Sequence, residues 1–362
     1  MELETDVCIV GAGPGGAMLA VLLAEKGIPV ILVERHASVF KEFRGEHLNE
    51  DGERILHKHG VLDEVQRQGM LLMKRIEYME HGHLVRTVVP EEGHAHVGIH
   101  VPQKHLLQAL FSRLEQNPNA TLLTGVAVNR LLQNDRGVIQ GVGGKRGEEE
   151  IFIRSRIVVG ADGRYSTVRK LAGIETDVIS HGYDLLWARI PAPEGWEPVI
   201  RMALAGGAQL AMFTQQGGFI QIGWSIPEGA FPAMTKQPID PLLDTLVRAY
   251  PDIEHSARAN LRSWRDFVLL KVHSSRAESW VKDGLVIMGD AAHTMSPTGA
   301  FGLNCALNDA DTLARVLLHA LEAGDTSAER LTAFERSNRV STEALQKRQL
   351  EMERSFAGQF SK

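Results

Sequence analysis

Short, unbroken apolar runs alternate with amphipathic stretches through the first half of the chain. Val7-Cys8-Ile9-Val10 is one such run, the pattern of a strand buried on both faces of a parallel sheet. It leads straight into Gly11-Ala12-Gly13-Pro14-Gly15-Gly16, after which Met18, Leu19, Leu22 and Leu23 follow a helical pattern until Gly27. Ile28–Val33 predicts a second strand ending at Glu34, so the opening residues read as a βαβ unit. Arg44–Val65 reads as largely helical and Met73–Val89 as short strands. Leu106, Leu107, Leu110, Phe111 and Leu114 give a buried stripe to a helix opening near Pro102. Thr121–Val126 and Ile157–Val159 predict further strands of the same domain.

From His181 to Phe267 the pattern changes to short apolar runs between Gly-, Pro- and Gln-rich turns. Leu210–Phe213 and Phe219–Ile226, joined through Gln215-Gln216-Gly217-Gly218, predict a hairpin in a mainly antiparallel sheet, with a helix over Pro241–Tyr250. Leu285-Val286-Ile287-Met288 returns the chain to the first domain, and Leu303, Ala306, Leu307, Ala310, Leu313 and Leu317 mark a long helix. The tail, Ala328–Phe356, reads as a charged helix with sparse apolar points, laid on the domain surface or at a dimer contact. The expected architecture is α/β. A Rossmann-type domain (1–72, 98–178, 270–327) carries an inserted β-rich domain (73–97, 179–269) and a C-terminal helical segment (328–362).

Composition narrows the classes. With 362 residues and 44% hydrophobic content the chain can bury more than one core, and a net charge of -6 leaves no electrostatic footprint for nucleic acid. The two cysteines, Cys8 and Cys305, form no CxxC or Cys/His cluster, so no metal site is expected and a reducing cytoplasm suits the chain. The acidic start Met1-Glu2-Leu3-Glu4-Thr5-Asp6 is unlike a secretory leader, and no apolar run is long enough to span a membrane.

Gly11, Gly13 and Gly16 match GxGxxG. The first glycine permits a tight turn, the second lets backbone approach a pyrophosphate, and the third lets helix and strand pack closely. The anion then sits on the free N–H groups of the helix start. Glu34, at the end of the next strand, is placed to accept from ribose hydroxyls. The motif does not by itself separate FAD from NAD.

Two further blocks do. Gly160-Ala161-Asp162-Gly163-Arg164 follows one buried strand. Met288-Gly289-Asp290 follows another and continues through Ser296-Pro297-Thr298-Gly299-Ala300-Phe301-Gly302-Leu303-Asn304. In this order and spacing the three blocks resemble the class A flavoprotein monooxygenases, the para-hydroxybenzoate hydroxylase-like family, over nearly the whole chain. Arg44-Gly45-Glu46 and Val101-Pro102-Gln103 look like that family's flavin-contacting segments.

The resemblance implies an FAD cofactor, NADH or NADPH as a transient co-substrate, and dioxygen. Oxygen would pass through a C4a-hydroperoxyflavin to hydroxylate or epoxidise a small, electron-rich organic substrate, an aromatic or a polyene. It further implies that Arg44 neutralises the pyrophosphate and that Gln103 donates to the flavin side. Asp162 would lie near the pyrophosphate, Asp290 would accept from the ribityl chain as a buried carboxylate, and Gly302, Leu303 and Asn304 would present a helix N-terminus to the pyrimidine edge. Pro297 and Gly299 would lie near the ring, and Arg35 beside Glu34 completes the expected cofactor set. Ala300 departs from the polar residue common in this stretch. No catalytic base stands out among His181, His273 and His293, and Trp187 and Trp224 are candidates for either pocket or core. The rivals are a flavin-dependent halogenase (Ile222-Gly223-Trp224-Ser225-Ile226-Pro227 lacks its first tryptophan), a geranylgeranyl-reductase-like oxidoreductase, and a non-enzymatic flavin-binding protein. A monomer or homodimer is expected.

Overall fold

The computed structural model describes residues 1–38 and 46–356. The apolar run at the start lies within a strand, Glu2–Val10, at the centre of an eight-stranded sheet. It pairs in parallel with Val30–Glu34 on one side and Glu149–Gly160 on the other, and the sheet extends in parallel through Ala120–Thr124 and Leu285–Ile287. Ala127–Gln133 and Ile139–Arg146 form an antiparallel excursion that leads into Glu149–Gly160. The sequence pattern missed this excursion, because its strands carry several glycines and charges in place of a clean alternation.

The helix Pro14–Ala24 is buried from Gly15 to Ala24 without a break, which explains its apolar composition on every face. It packs on the late helix Phe301–Ala323 and on Gln103–Glu115. The expected helical stretch 44–65 is corrected in part. A two-residue strand, His47–Leu48, comes first, and two separate helices, Glu50–Lys58 and Leu62–Gln68, follow. His47–Leu48 and Leu71–Leu72 both pair with Ile99–His100 in a small three-stranded sheet. Strands this short carry no readable periodicity.

A seven-stranded sheet forms the second layer, in the order Val268–Ala277, Thr176–Pro191, Phe219–Pro227, Ala208–Gln215, Val199–Ala205, Arg75–Glu80, His83–Val88. Strand alternation gives it two faces. Leu186, Ala188, Ile190, Leu210, Met212, Ile220, Ile222 and Trp224 point one way, into a core shared with Leu243, Leu246 and Ala257 from the helices Asp240–Ala249 and Glu254–Asn260. The other face carries Leu185, Trp187, Met202, Ala211 and Phe213, all only half-buried. Among the described residues, no helix is long and apolar enough to cross a membrane.

Two glycines of the turn are fixed by close backbone packing. A Cβ on Gly16 would lie 2.1 Å from the Gly11 carbonyl oxygen, and one on Gly11 would lie 2.3 Å from the Ala161 oxygen. Both obstacles are backbone and cannot swing aside. Gly16→Ala is therefore expected to destabilise the fold by about 1–3 kcal/mol, read as a lowered denaturation midpoint.

Candidate functional site

The glycine turn, the two aspartate blocks and the start of the late helix converge at the carboxyl ends of the parallel strands. Gly11 has φ +110° and donates its N–H to the Val33 oxygen at 2.7 Å, drawing the turn onto the second strand. Gly13 differs from its neighbours, because a Cβ there would meet nothing within 4 Å. It caps Pro14–Ala24 with no side-chain hydrogen bond, and the first turn holds no acidic residue.

The late helix starts in the same way, with no side-chain cap and no acid in its first turn. Other long helices are provided for. Asn49, Ser327 and Asp240 serve the helices that follow them or that they open, and the Glu46 carboxylate accepts from the Gln103 N–H at 3.4 Å. Two open helix starts beside an empty approach over Gly13 are a donor set suited to a ligand with phosphate and an electron-rich ring edge.

Glu34 is buried and holds the turn from inside. Its carboxylate accepts from the Ala12 N–H at 3.2 Å and from the His36 N–H at 2.9 Å. Each oxygen retains a further lone pair, so ribose hydroxyls can still be accepted. Arg35 is exposed and donates to His36 Nε2 at 2.9 Å. Arg44 lies outside the described residues.

Asp162 caps the short helix Thr167–Leu171. It accepts from Ser166 Oγ at 2.5 Å and from the N–H groups of Thr167 and Val168 at 2.6 and 3.1 Å. Arg169 then ties this block to the next one, donating to the Ala291 oxygen at 2.7 Å. Asp290 corrects an expectation. Its side chain is 37% exposed and lies 4.0 Å from Arg164 Nε, so it is not a buried carboxylate awaiting a partner.

The loop after Asp290 is held in an unusual backbone shape. Gly299 has φ +73° and Ala300 φ +54°, the left-handed region that costs a side-chain-bearing residue about 1–2 kcal/mol. Ala300 is thus a strained position as well as a departure from the family pattern. Pro297 opens the turn with φ -69°. Asn304 locks the end of the loop, donating to the oxygens of His47 and Ala300 at 3.1 and 2.8 Å and accepting from the Asn49 N–H. Its side chain is therefore engaged by protein. Leu303 is 8% exposed within the core, so both residues offer a ligand backbone rather than side chains. At Gly302 a Cβ would meet only Met295, at 3.8 Å.

The three candidate histidines separate. His293 is buried, 2.6 Å from Asp309, which also accepts from the Gly289 N–H and Asn338. Burial pulls its pKa down, but the Asp309 carboxylate outweighs that and leaves it raised. This pair joins strand end, late helix and tail. His273 sits near Tyr165, partly exposed, with its pKa lowered by burial and by Arg164. His181 is fully buried and belongs to a network that the sequence reading missed.

That network lies along the C-terminal helix Ala328–Arg354. Asn338, Thr342, Gln346, Gln349 and Glu353 recur at spacings of three and four, which puts them on one face. Gln346 bonds the oxygens of Ser275 and Thr294, and Gln349 those of Ser296 and Thr298. The Glu353 carboxylate accepts from Ser296 Oγ (2.8 Å), Thr298 Oγ1 (2.7 Å), Tyr183 Oη (3.1 Å) and His181 Nδ1 (2.6 Å). One side chain thus links the seven-stranded sheet to the loop that precedes the late helix. The signal was present as polar residues at helical spacing, a pattern that equally describes a solvated face.

The two tryptophans fall on opposite faces of the sheet. Trp224 is core, whereas Trp187 lies over Gly223 and 6.2 Å from the Phe213 ring, on the half-buried face. His47 meets Phe213 from the small sheet at 4.9 Å between ring centroids. The face therefore forms one wall of the space against which the small sheet packs.

The FAD binding domain family matches residues 4–348 of this chain. The chain is 37% identical over 346 residues to 6-methylpretetramide 4-monooxygenase of Streptomyces rimosus, covering 94% of this chain and 81% of that protein. It is 27% identical to protoasukamycin 4-monooxygenase of Streptomyces nodosus subsp. asukaensis, over 95% and 86% of the two chains. In fold it is similar to the crystal structure of PqsL, a probable FAD-dependent monooxygenase from Pseudomonas aeruginosa. The TM-score is 0.85 at 23% identity, covering 99% of this chain and 100% of that one.

Two substitutions probe the geometry. Gly13→Val fills space that is open in the protein itself, so it is expected to fold with near-normal stability yet purify without flavin colour. A yellow variant of unchanged flavin affinity would contradict the placement. Glu353→Ala strands four buried donors and is expected to cost about 2–4 kcal/mol in denaturant unfolding. Burial raises the Glu353 pKa, but its hydrogen bonds from His181, Thr298 and Ser296 outweigh that and leave it lowered. A depressed folded-state pKa contributes stability above the ordinary carboxylate range that is lost as pH falls through the folded value. The gap between wild type and Glu353→Ala should therefore narrow in acid.

Proposed function

The chain belongs to the FAD binding domain family, that of the class A flavoprotein hydroxylases, and from that premise we propose that it hydroxylates a polycyclic aromatic phenol. It is an FAD-dependent monooxygenase that uses NAD(P)H and dioxygen. The observation that carries the substrate reading is the half-buried face of the seven-stranded sheet. Leu185, Trp187, Met202, Ala211 and Phe213 come from three strands there and flank Gly223 on a fourth, a wall broad enough for fused rings. The name of the Streptomyces rimosus relative, a monooxygenase of 6-methylpretetramide, supports the same reading.

Bound FAD would supply hydride acceptance from NAD(P)H and oxygen activation; the chain supplies binding and orientation. In this reading the turn Gly11–Gly16 takes the pyrophosphate with help from Arg44, and Glu34 and Arg35 meet the adenosine end. The aspartate caps act at one remove. Asp162 shapes the loop beside the pyrophosphate, and Asp290, paired with Arg164, borders the ribityl chain. Gln103 sits at the flavin side. Pro297 and Gly299 lie along the ring, and the N–H groups from Gly302 to Asn304 favour the negative charge of reduced flavin. Segments 73–97 and 179–269 form the substrate-binding unit. The half-buried sheet face holds the substrate and keeps water from it. The enzyme acts in the cytoplasm, as a monomer or homodimer.

Two families of probe test the substrate class. Hydroxylated anthraquinones are expected to accelerate NAD(P)H oxidation and flavin bleaching at least tenfold over the rate without substrate, with oxygen consumed in step with hydroxylated product. Single-ring para-hydroxybenzoate is expected to give little acceleration. Equal or better stimulation by the single-ring acid would overturn the polycyclic reading.

A further inference from the structure

The small three-stranded sheet brings two histidines together. His47 and His100 are direct cross-strand partners, with ring centroids 5.5 Å apart. His47 rests on Phe213, so the pair meets the half-buried face of the large sheet. The His100 side chain is 2% exposed, and its Nε2 lies 3.2 Å from Glu46 Oε2. Glu46 also accepts from Gln215 Nε2 at 3.0 Å, and Gln215 donates to Gln221 Oε1 at 2.5 Å.

A carboxylate only accepts, so the His100 Nε2 that faces Glu46 carries a proton, and in the neutral ring Nδ1 is then the acceptor. That Nδ1 and the Nε2 of His47 are both buried and have no hydrogen-bond partner. Burial above all pushes the His47 pKa down to about 3, so that ring is neutral at working pH. Buried ring nitrogens without partners are unfavourable, and Phe213 closes the apolar side of the pair. A hydroxyl, which both donates and accepts, would satisfy both atoms.

We propose that His47 and His100 are the specificity-determining residues for a hydroxyl on the substrate's aromatic ring, with Glu46 fixing the tautomer of His100. The substrate O–H donates to His100 Nδ1, and His47, as its Nε2–H tautomer, donates to the same oxygen. No bond is broken and no proton changes owner on binding. The pair rests on the polycyclic aromatic reading and specifies which edge of that substrate enters first. A site built this way rejects an analogue that lacks the hydroxyl far more strongly than an apolar pocket would.

The test is binding of three probes to the flavin-loaded enzyme, without NAD(P)H, by calorimetry. 2-Hydroxyanthraquinone is expected to bind at least tenfold tighter than 2-methylanthraquinone, which cannot hydrogen-bond there, and than 2-methoxyanthraquinone, which cannot donate. His47→Phe and His100→Phe should each reduce that preference to twofold or less by weakening the hydroxy probe more than the methyl probe, a pattern that general loosening of the site, which weakens both alike, would not give. Retention of the preference in both variants overturns the assignment. Equal binding of the hydroxy and methoxy probes to the wild type overturns it without recourse to any variant. If no probe binds the wild type, the polycyclic reading falls and the inference falls with it.

Discussion

The first turn of Pro14–Ala24 has no side-chain cap and holds no acid, and the same is true of Phe301–Ala323. Helix starts left open in this way are unfavourable in a folded protein unless solvent or a ligand answers them. The fold is arranged to leave both open at one edge of the parallel sheet. Gly11 and Gly16 take the steric load of bringing strand, turn and helix together, which frees Gly13 to stay clear of every neighbour. Glu34 braces the turn through two N–H groups, and Asp162 and Asn304 brace the flanking loops. The carboxylates Glu34 and Asp162 thus organise backbone and leave the N–H groups of the two helix starts open.

The Rossmann part of this arrangement is readable in the residues themselves. A continuous apolar strand, three glycines and an acid at the next strand end follow from sterics and hydrogen bonding, and each is local. Long-range consequences are not local. Asp290 looks like a carboxylate in need of a partner until Arg164, more than a hundred residues earlier, is found beside it. Trp187 and Trp224 cannot be assigned to wall or core until strand register fixes which way each alternates. The small sheet of His47, Leu71 and His100 depends on pairs of residues too short to leave a period.

Polar residues at helical spacing were the hardest to read. Leu331 and Phe334 signal a docked helix, whereas Asn338, Gln346, Gln349 and Glu353 suggest water. Gln346, Gln349 and Glu353 bond instead to carbonyls and hydroxyls of the loop at 294–298 and to the neighbouring strands, and Asn338 bonds to Asp309 on the late helix. Amide side chains suit this task because each can donate and accept, matching irregular backbone that no ladder serves. Ala300 shows why such support is needed: a strained conformation persists only where its surroundings leave it no alternative.

The position of that ridge in the chain has a consequence for biosynthesis. Both large sheets are completed between the glycine turn and Gln346, Gln349 and Glu353, which follow it by more than three hundred residues. Until they emerge, the turn at Pro297–Ala300 lacks the clasp that bonds its carbonyls and hydroxyls. A nascent chain can therefore form the turn at Gly11–Gly16 well before the turn at Pro297–Ala300 is clasped, so the two open helix starts become secured at different times.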